Sequence, residues 1–241
     1  MFWRSTTQTN TRNNKFYYMQ TQILKGPIGM FGPRDDYEYL LVINPAADVH
    51  AQLLHEKQQF YNIYKEKVAI KTRPHITVAN FLAKESMEET IIRYMHRIIS
   101  AKKSFNVILN NFSGFPPHTV YVRVQQHAPF RQMAAEFAAI DQYVRSYGYP
   151  AARLIVNPHV TIARKLPEQV YSKAMPEYSK KIFYASFFVD ALVLLKRQAG
   201  FDACKQVNVF KLLPDETLDA TAFAVNDEDG LERLRQGVMS F

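Results

Sequence analysis

The hexapeptide Pro74-His75-Ile76-Thr77-Val78-Ala79 returns 84 residues later as Pro158-His159-Val160-Thr161-Ile162-Ala163. Four of the six positions are identical, and the other two exchange Ile for Val. Because a β-strand turns alternate side chains to opposite faces, the His and the Thr of each copy share one face while the β-branched residues face a core. Two such strands together offer two imidazoles and two hydroxyls. This set of groups suits acid–base cleavage of a phosphodiester without a metal.

A single His-x-Thr is too short to be specific, and the alternative interpretation of the two motifs is a pair of ordinary strand histidines. The repetition favours a shared role, because Pro precedes the His in both copies and biases the residue before it towards extended structure. Other phosphate or nucleophile chemistry is not indicated. The sequence has no Gly-x-Ser-x-Gly elbow, and its eight glycines leave little room for a phosphate-binding loop.

Composition and charge narrow the classes of function. The 241-residue chain carries 30 Lys and Arg against 22 Asp and Glu, a formal net charge of +8. This surplus favours anionic partners, nucleic acid above all, although a merely basic soluble protein would show the same balance. Cys204 is the single cysteine, which indicates a reducing compartment. With neither the apolar run of a signal peptide nor a membrane-spanning segment, we expect a cytoplasmic protein.

The remaining histidines do not form a metal-binding pattern. His50 and His55 are five residues apart, a poor match for one helix face, and no His-Glu-x-x-His motif is present. His96 lies on a predicted helix, His127 precedes one, and His118 lies in a loop. The lone cysteine cannot supply a thiolate cluster. We therefore expect no metal and no cofactor.

Hydrophobic periodicity predicts the element order β-α-β-α-β-β-α-β-α-β-β, in which each half contains related strand–helix–strand pieces and suggests a pseudo-twofold. Asn44 is the expected N-cap of the first helix, Ser86 and Glu89 form a capping box for the second, and Gly148 ends the third. We expect a partly flexible extension at 1–36, a domain at 37–214 and a C-terminal tail at 215–241 with the pattern of one weak helix. The predicted strands are 37–43, 75–81, 105–112, 119–124, 159–163, 184–196 and 206–212, and the predicted helices are 45–67, 86–98, 130–147 and 168–175.

Over residues 37–213 the sequence resembles the two-histidine (2H) phosphoesterase superfamily, specifically its 2′-5′ RNA ligase-like and cyclic phosphodiesterase branch. The paired His-x-Thr motifs carry most of this resemblance. Further matches occur in the expected order, and they are the strand Tyr39–Val42 with Pro45, Phe81-Leu82 after the first motif, Gly114-Phe115-Pro116, Arg164 after the second motif, and the closing strand Phe188–Leu195.

The resemblance implies a bilobal α+β fold, with two pseudo-twofold-related halves of mainly antiparallel sheet flanked by helices. The two His-Thr strands would face each other across a central cleft. It further implies a metal-independent phosphoesterase that acts on 2′,3′-cyclic phosphate or 2′-5′ linked ends of RNA or nucleotides, in a reaction that can also run towards ligation. His159 would be the general base and His75 the general acid. The phosphate oxygens would be bound by Thr77, Thr161 and Arg164.

Two aromatic residues are candidates for stacking on a base. An unbroken strand would place Phe81, four residues beyond Thr77, on the site face, although it is equally well explained as a core aromatic. Phe115 is a weaker candidate of the same kind. Asn80 stands where the second motif has Arg164, which predicts an electrostatically lopsided site.

The alternative to an enzyme is a module of the same fold that binds RNA ends or nucleotides with little turnover. An enzyme for small nucleotides, such as an oligoadenylate, is a further possibility. In each case we expect a monomer whose partners are RNA ends or small cyclic or 2′-5′ nucleotides, without a membrane partner.

Overall fold

The computed structural model describes residues 36–198 and 203–215. The predicted N-terminal extension and C-terminal tail lie outside these residues, apart from Asp36 and Asp215, as does the predicted turn at Ala199-Gly200. Within the described ranges, no helix is long and apolar enough to cross a membrane.

The described residues contain nine β-strands and five α-helices, and short 3₁₀ turns at Lys67–Ala69 and Glu85–Met87 precede the second strand and the second helix. The strands are β1 (Asp36–Ile43), β2 (Ile76–Lys84), β3 (Phe105–Phe115), β4 (Thr119–Val124), β5 (Arg153–Leu154), β6 (His159–Ala163), β7 (Tyr184–Val189), β8 (Ala191–Gln198) and β9 (Lys205–Lys211). The helices are α1 (Ala47–Tyr64), α2 (Glu88–Ile99), α3 (Ala128–Glu136), α4 (Ala138–Ser146) and α5 (Glu168–Tyr178).

The nine described strands form one sheet in the order β7-β3-β4-β6-β2-β1-β8-β9, with the short β5 paired to β2. All of its paired strands are antiparallel, so the prediction of an α+β fold with mainly antiparallel strands is confirmed. The two His-Thr strands, β2 and β6, are hydrogen-bonded neighbours at the centre of the order. The two motifs therefore lie side by side in one sheet, rather than facing each other from opposite sides of a cleft. The twofold relation of the halves stays a prediction.

The single long strand predicted over Tyr184–Lys196 is in fact two strands with different partners. Asp190 alone separates β7, which pairs with β3, from β8, which pairs with β1. In a flat sheet of this order, six strand spacings would hold β7 and β8 about 29 Å apart, whereas one residue spans only about 3.5 Å. The sheet must therefore curl, so that the end of β7 and the start of β8 come together.

The helix boundaries differ from prediction where a turn intervenes. Ala46, not Asn44, is the N-cap of α1, because its extended ψ of 157° delays the helix start to Ala47. The 3₁₀ turn at Glu85–Met87 occupies the place of the predicted capping box, and no side chain caps α2. The predicted third helix is divided at Phe137 into α3 and α4. Gly148, whose φ is +82°, follows the end of α4, as predicted.

Candidate active site

A β-bulge follows the Thr of the first motif. Adjacent residues of β1 pair with Thr77 and Ala79, so Val78 is an extra residue on β2. Two consecutive residues, Val78 and Ala79, are accordingly both buried, and the next residue, Asn80, is half-buried like His75. One extra residue exchanges the faces of all later side chains on a strand. Asn80, five residues after the His, therefore lies on the His-Thr face of the sheet.

The second motif contains the same bulge at the equivalent position. Adjacent residues of β4 pair with Thr161 and Ala163, and Ile162 is left over. Its six residues from His159 to Arg164 repeat, position by position, the burial of the six residues that begin with His75. Arg164 consequently shares the face of His159 and Thr161, which regular alternation would not allow. The bulge is the physical reason why an Arg five residues after the His belongs to this surface.

The bulge also decides the position of Phe81. The ring is 3% exposed and stacks on Tyr39, with ring centroids 5.4 Å apart. The candidate role in base stacking assumed an unbroken strand between Thr77 and Phe81, and Val78 interrupts that strand. Phe81 therefore lies in the core, as the alternative interpretation held, and we do not assign it to substrate binding.

Both motif imidazoles are oriented by the same backbone contact. Nδ1 of His75 lies 2.9 Å from the Arg73 carbonyl oxygen, and Nδ1 of His159 lies 3.1 Å from that of Asn157. Because a carbonyl oxygen can only accept a hydrogen bond, each Nδ1 carries a proton and donates it. The neutral imidazole then has its lone pair on Nε2, so each Nε2 can accept a proton.

The registered pair Ile76–Val160 determines how the motifs meet. Extending this antiparallel register by one residue places His75 beside Thr161 on one side and Thr77 beside His159 on the other. Directly opposed side chains in such a pair have Cβ atoms about 5 Å apart. Each imidazole is thus next to the hydroxyl of the other motif. The four side chains form one compact group on a single face of the sheet.

Burial and the neighbouring cations favour the neutral form of both imidazoles in the free protein. Burial lowers the pKa of His75, and the cations of Lys57, Arg164 and Arg197 lower it further, against the hydrogen bond to the Arg73 carbonyl, which raises it. Burial likewise lowers the pKa of His159, with the Arg153 cation and His75 itself acting in the same direction. An anion bound here would reverse this effect by stabilising the protonated imidazoles.

The positive charge around the two motifs is distributed more evenly than the presence of Asn80 in the first motif and Arg164 in the second predicts. The Asn80 amide donates a hydrogen bond of 2.6 Å to Glu38, whose other oxygen accepts one of 2.6 Å from Arg197. Arg153 on β5 is the registered partner of Asn80. Arg153 of β5 and Arg197 of β8 thus add their positive charges to that of Arg164 in acting on the two histidines. No sequence signal identified Arg153 or Arg197, because only the strand pairing brings them to the motifs.

Aromatic rings adjoin the second imidazole. Phe115, which is 39% exposed, stands edge-on to His159 with ring centroids 5.1 Å apart, and it stacks on Tyr121 at 4.4 Å. The ring centroid of Tyr121 lies 4.9 Å from that of His159. Sequence reasoning missed Tyr121, which is the registered neighbour of Thr161.

Gly114 lets helix α5 approach the strand that carries Phe115. A Cβ atom added there would lie 2.5 Å from the Tyr171 hydroxyl oxygen and 2.6 Å from the sulfur of Met175. A larger residue at this position would force the ends of these two α5 side chains to shift, so glycine permits the close packing of the helix against β3.

The other histidines make local contacts elsewhere. The His127 ring bonds the Val124 carbonyl at 2.9 Å, and the His118 ring lies 3.0 Å from the Thr119 hydroxyl. Among the described residues, no group of three or more His, Cys, Asp or Glu side chains is arranged to hold a metal ion.

Comparison with known proteins places the chain in a family. The model of the 2′-5′ RNA ligase superfamily matches residues 47–201. No curated protein matches the chain significantly. E. coli LigT, solved with NADP⁺, is similar with a TM-score of 0.57 at 16% identity, over 73% of this chain and 98% of that one. TT0787 of Thermus thermophilus gives 0.56 at 15% identity, over 74% and 100% respectively. The folds agree, and the chain belongs to the 2′-5′ RNA ligase superfamily, a group of 2H phosphoesterases.

Proposed function

We propose that the protein is a metal-independent phosphoesterase of 2′,3′-cyclic phosphates or 2′-5′ linked ends of RNA or nucleotides. His75 and His159 form its acid–base pair. One observation carries this proposal: two imidazoles, both with Nδ1 engaged and Nε2 kept for a ligand, lie on one face beside two hydroxyls. A pure binding module has no evident need for two titrating groups in this arrangement.

In hydrolysis, Nε2 of one histidine accepts a proton from water while the water oxygen bonds to phosphorus. The P–O bond to the sugar oxygen breaks, and that oxygen receives a proton from Nε2 of the other histidine. Each transfer contributes roughly 10²–10⁴-fold. Following the resemblance, we assign the base to His159 and the acid to His75. In ligation a ribose 5′-hydroxyl replaces water as the nucleophile on the cyclic phosphate, and the two roles stay the same. They exchange in the reverse step, in which the neighbouring 3′-hydroxyl attacks a 2′-5′ linked phosphate, the cyclic phosphate forms and the 5′-oxygen leaves with a proton.

Phosphate binding falls to the neighbours of the two histidines. The Thr77 and Thr161 hydroxyls can donate to the non-bridging oxygens, and the Arg164 guanidinium adds charge-assisted bonds suited to a phosphate. Burial lowers the pKa of both imidazoles, and the positive charge of the site lowers it further; that charge is the property that an anionic substrate requires.

Phe115, supported by Tyr121, is the proposed surface for a nucleobase. Base stacking on an aromatic ring tolerates any base and is worth about 1–3 kcal/mol. Solved structures of E. coli LigT hold phosphate, 3′-AMP, ATP or NADP⁺. Those ligands guide the choice of nucleotide probes for this chain.

The decisive experiment is a turnover screen in excess EDTA. We expect hydrolysis of 2′,3′-cyclic mononucleotides, 2′-5′ dinucleotides or cyclic-phosphate RNA to persist without metal, because side chains supply every acid–base and phosphate-binding group. Product regiochemistry, read by chromatography, identifies the bond broken. Turnover that disappears in EDTA and returns with Zn²⁺, Mg²⁺ or Mn²⁺ would defeat the mechanism. Tight binding of these ligands without any turnover would favour the binding module.

The pH dependence provides a separate prediction. Since both imidazoles have a pKa below the usual value of about 6.5, kcat/KM should follow a bell-shaped profile with its optimum on the acidic side of that value. The bound phosphate raises both pKa values, so the kcat profile should lie at higher pH. Initial rates with 2′,3′-cyclic AMP at limiting and saturating concentrations test this. A kcat/KM optimum above pH 7 would contradict it.

A further inference from the structure

Lys57 of α1 is a buried cation directly beneath the second motif. Its side chain is 1% exposed. The ammonium donates to the carbonyl oxygens of Ile162 at 3.0 Å and Thr161 at 3.1 Å, and to the Thr72 hydroxyl at 3.4 Å. None of the ion pairs recorded for the described residues involves it. A buried charge solvated only by neutral oxygens is costly, so stability alone does not explain it.

Lys196, the other buried lysine of the described residues, differs from Lys57 because carboxylates neutralise its charge. Lys196, 9% exposed, is neutralised by Glu85 at 2.7 Å and Glu88 at 2.6 Å. Lys57 instead lies close enough to Arg164 for that guanidinium to oppose its charge. Burial, together with Arg164, lowers the pKa of Lys57 to about 8, which leaves it charged at neutral pH. Two cations held together in this way favour a bound anion beside the more accessible of them, Arg164.

The two carbonyls that Lys57 binds belong to the bulge. A bulge interrupts the ladder of hydrogen bonds and leaves backbone groups in need of partners. In the first motif, the equivalent carbonyl of Val78 accepts a hydrogen bond of 2.9 Å from the backbone N–H of Ile155. In the second motif, the Lys57 ammonium donates the corresponding hydrogen bond, to the Ile162 carbonyl oxygen. The bulge on which the position of Arg164 depends is thus held by one side chain.

We propose that Lys57 is a positioning residue of the phosphate site, which fixes the bulge at Ile162 and so keeps Arg164 on the face of the two imidazoles. Lys57 is too buried to contact the ligand and acts through Arg164. This inference rests on the proposed function only in that it takes the site to bind a phosphate. It does not depend on turnover.

Calorimetric titration of the full chain with 3′-AMP tests this proposal. Lys57→Met retains the length of the side chain and removes the ammonium. We expect it to raise Kd at least about 10-fold, whereas in an Arg164→Ala background it should change Kd by less than about 2-fold, because residues acting through one another are not additive. Lys196→Met is the matched control, a buried lysine whose loss should lower Tm and leave Kd within about 2-fold.

The outcomes separate cleanly. An unchanged Kd for Lys57→Met, or an equal loss in both backgrounds, would overturn the positioning role, and a wild-type chain that does not bind 3′-AMP would overturn it as well. If Lys57→Met does not fold, Lys57→Gln, which still donates to a carbonyl, takes its place in the same cycle with a smaller expected loss, about 3-fold. Binding with the expected cycle but no turnover would defeat the proposed enzyme and leave Lys57 as a positioning residue.

Discussion

His75→Ala and His159→Ala should each lower kcat by at least about 10²-fold, because each removes one partner in proton transfer. The double variant should fall well short of the product of the two losses, since the two groups act as a unit. The pH profiles should separate their roles. The variant that loses the acidic limb has lost the base, and the one that loses the basic limb has lost the acid. Steady-state rates with 2′,3′-cyclic AMP across pH measure all of this.

These variants should remain folded. Both rings are half-buried, and each loses a single hydrogen bond to a nearby carbonyl, which costs about 1 kcal/mol. His127→Ala is the matched control, because that ring also bonds a backbone carbonyl but belongs to neither motif. It should leave kcat unchanged. Near-wild-type turnover in both motif variants, or their unfolding, would mean that the histidines are structural and that the binding module is the better interpretation.

Arg164→Ala should weaken 3′-AMP binding about 10–100-fold. Hydrogen bonds to a charged group contribute about 1.5–3 kcal/mol, and each 1.4 kcal/mol is about tenfold in Kd. Asn80→Ala is the matched comparison at the equivalent bulge position, and its effect should be smaller because the amide is already bonded to Glu38. Titration calorimetry on both variants compares them. Equal losses would show that Arg164 does not face the phosphate.

The repeated hexapeptide predicts both His-Thr strands and the face shared by each His and Thr, and together with the further matches along the chain it indicates the superfamily. Regular alternation of side chains accounts for the strands and for the shared face. It fails beyond the Thr, because a bulge has no sequence signature in residues as ordinary as Val78 and Ile162. Phe81 was therefore a candidate for the site although it lies in the core, and the face of Arg164 came only from resemblance.

Other features depend on partners far away in the chain. The run Tyr184–Lys196 is apolar on both sides of Asp190, so periodicity alone predicts one strand. Only the pairing with β3 and β1 divides it. Lys57 appears in the sequence as one charge on a mixed helix. Its burial follows from the packing of α1 against β6, which no local pattern reveals.

The bulges make the length of each motif as important as its composition. Exchanging Val78 or Ile162 for another β-branched residue leaves the path of the strand intact, whereas deleting either one restores strict alternation. After such a deletion Ala163 would stay in the core and Arg164 on the face of His159 and Thr161, because an even interval of regular strand would separate His and Arg. If the bulge were flattened with Ile162 retained, Arg164 would instead be directed into the core while Ala163 faced the ligand. The face of Arg164 is thus set by the interval and the bulge together: five residues from His to Arg require the bulge, whereas four would require a regular strand.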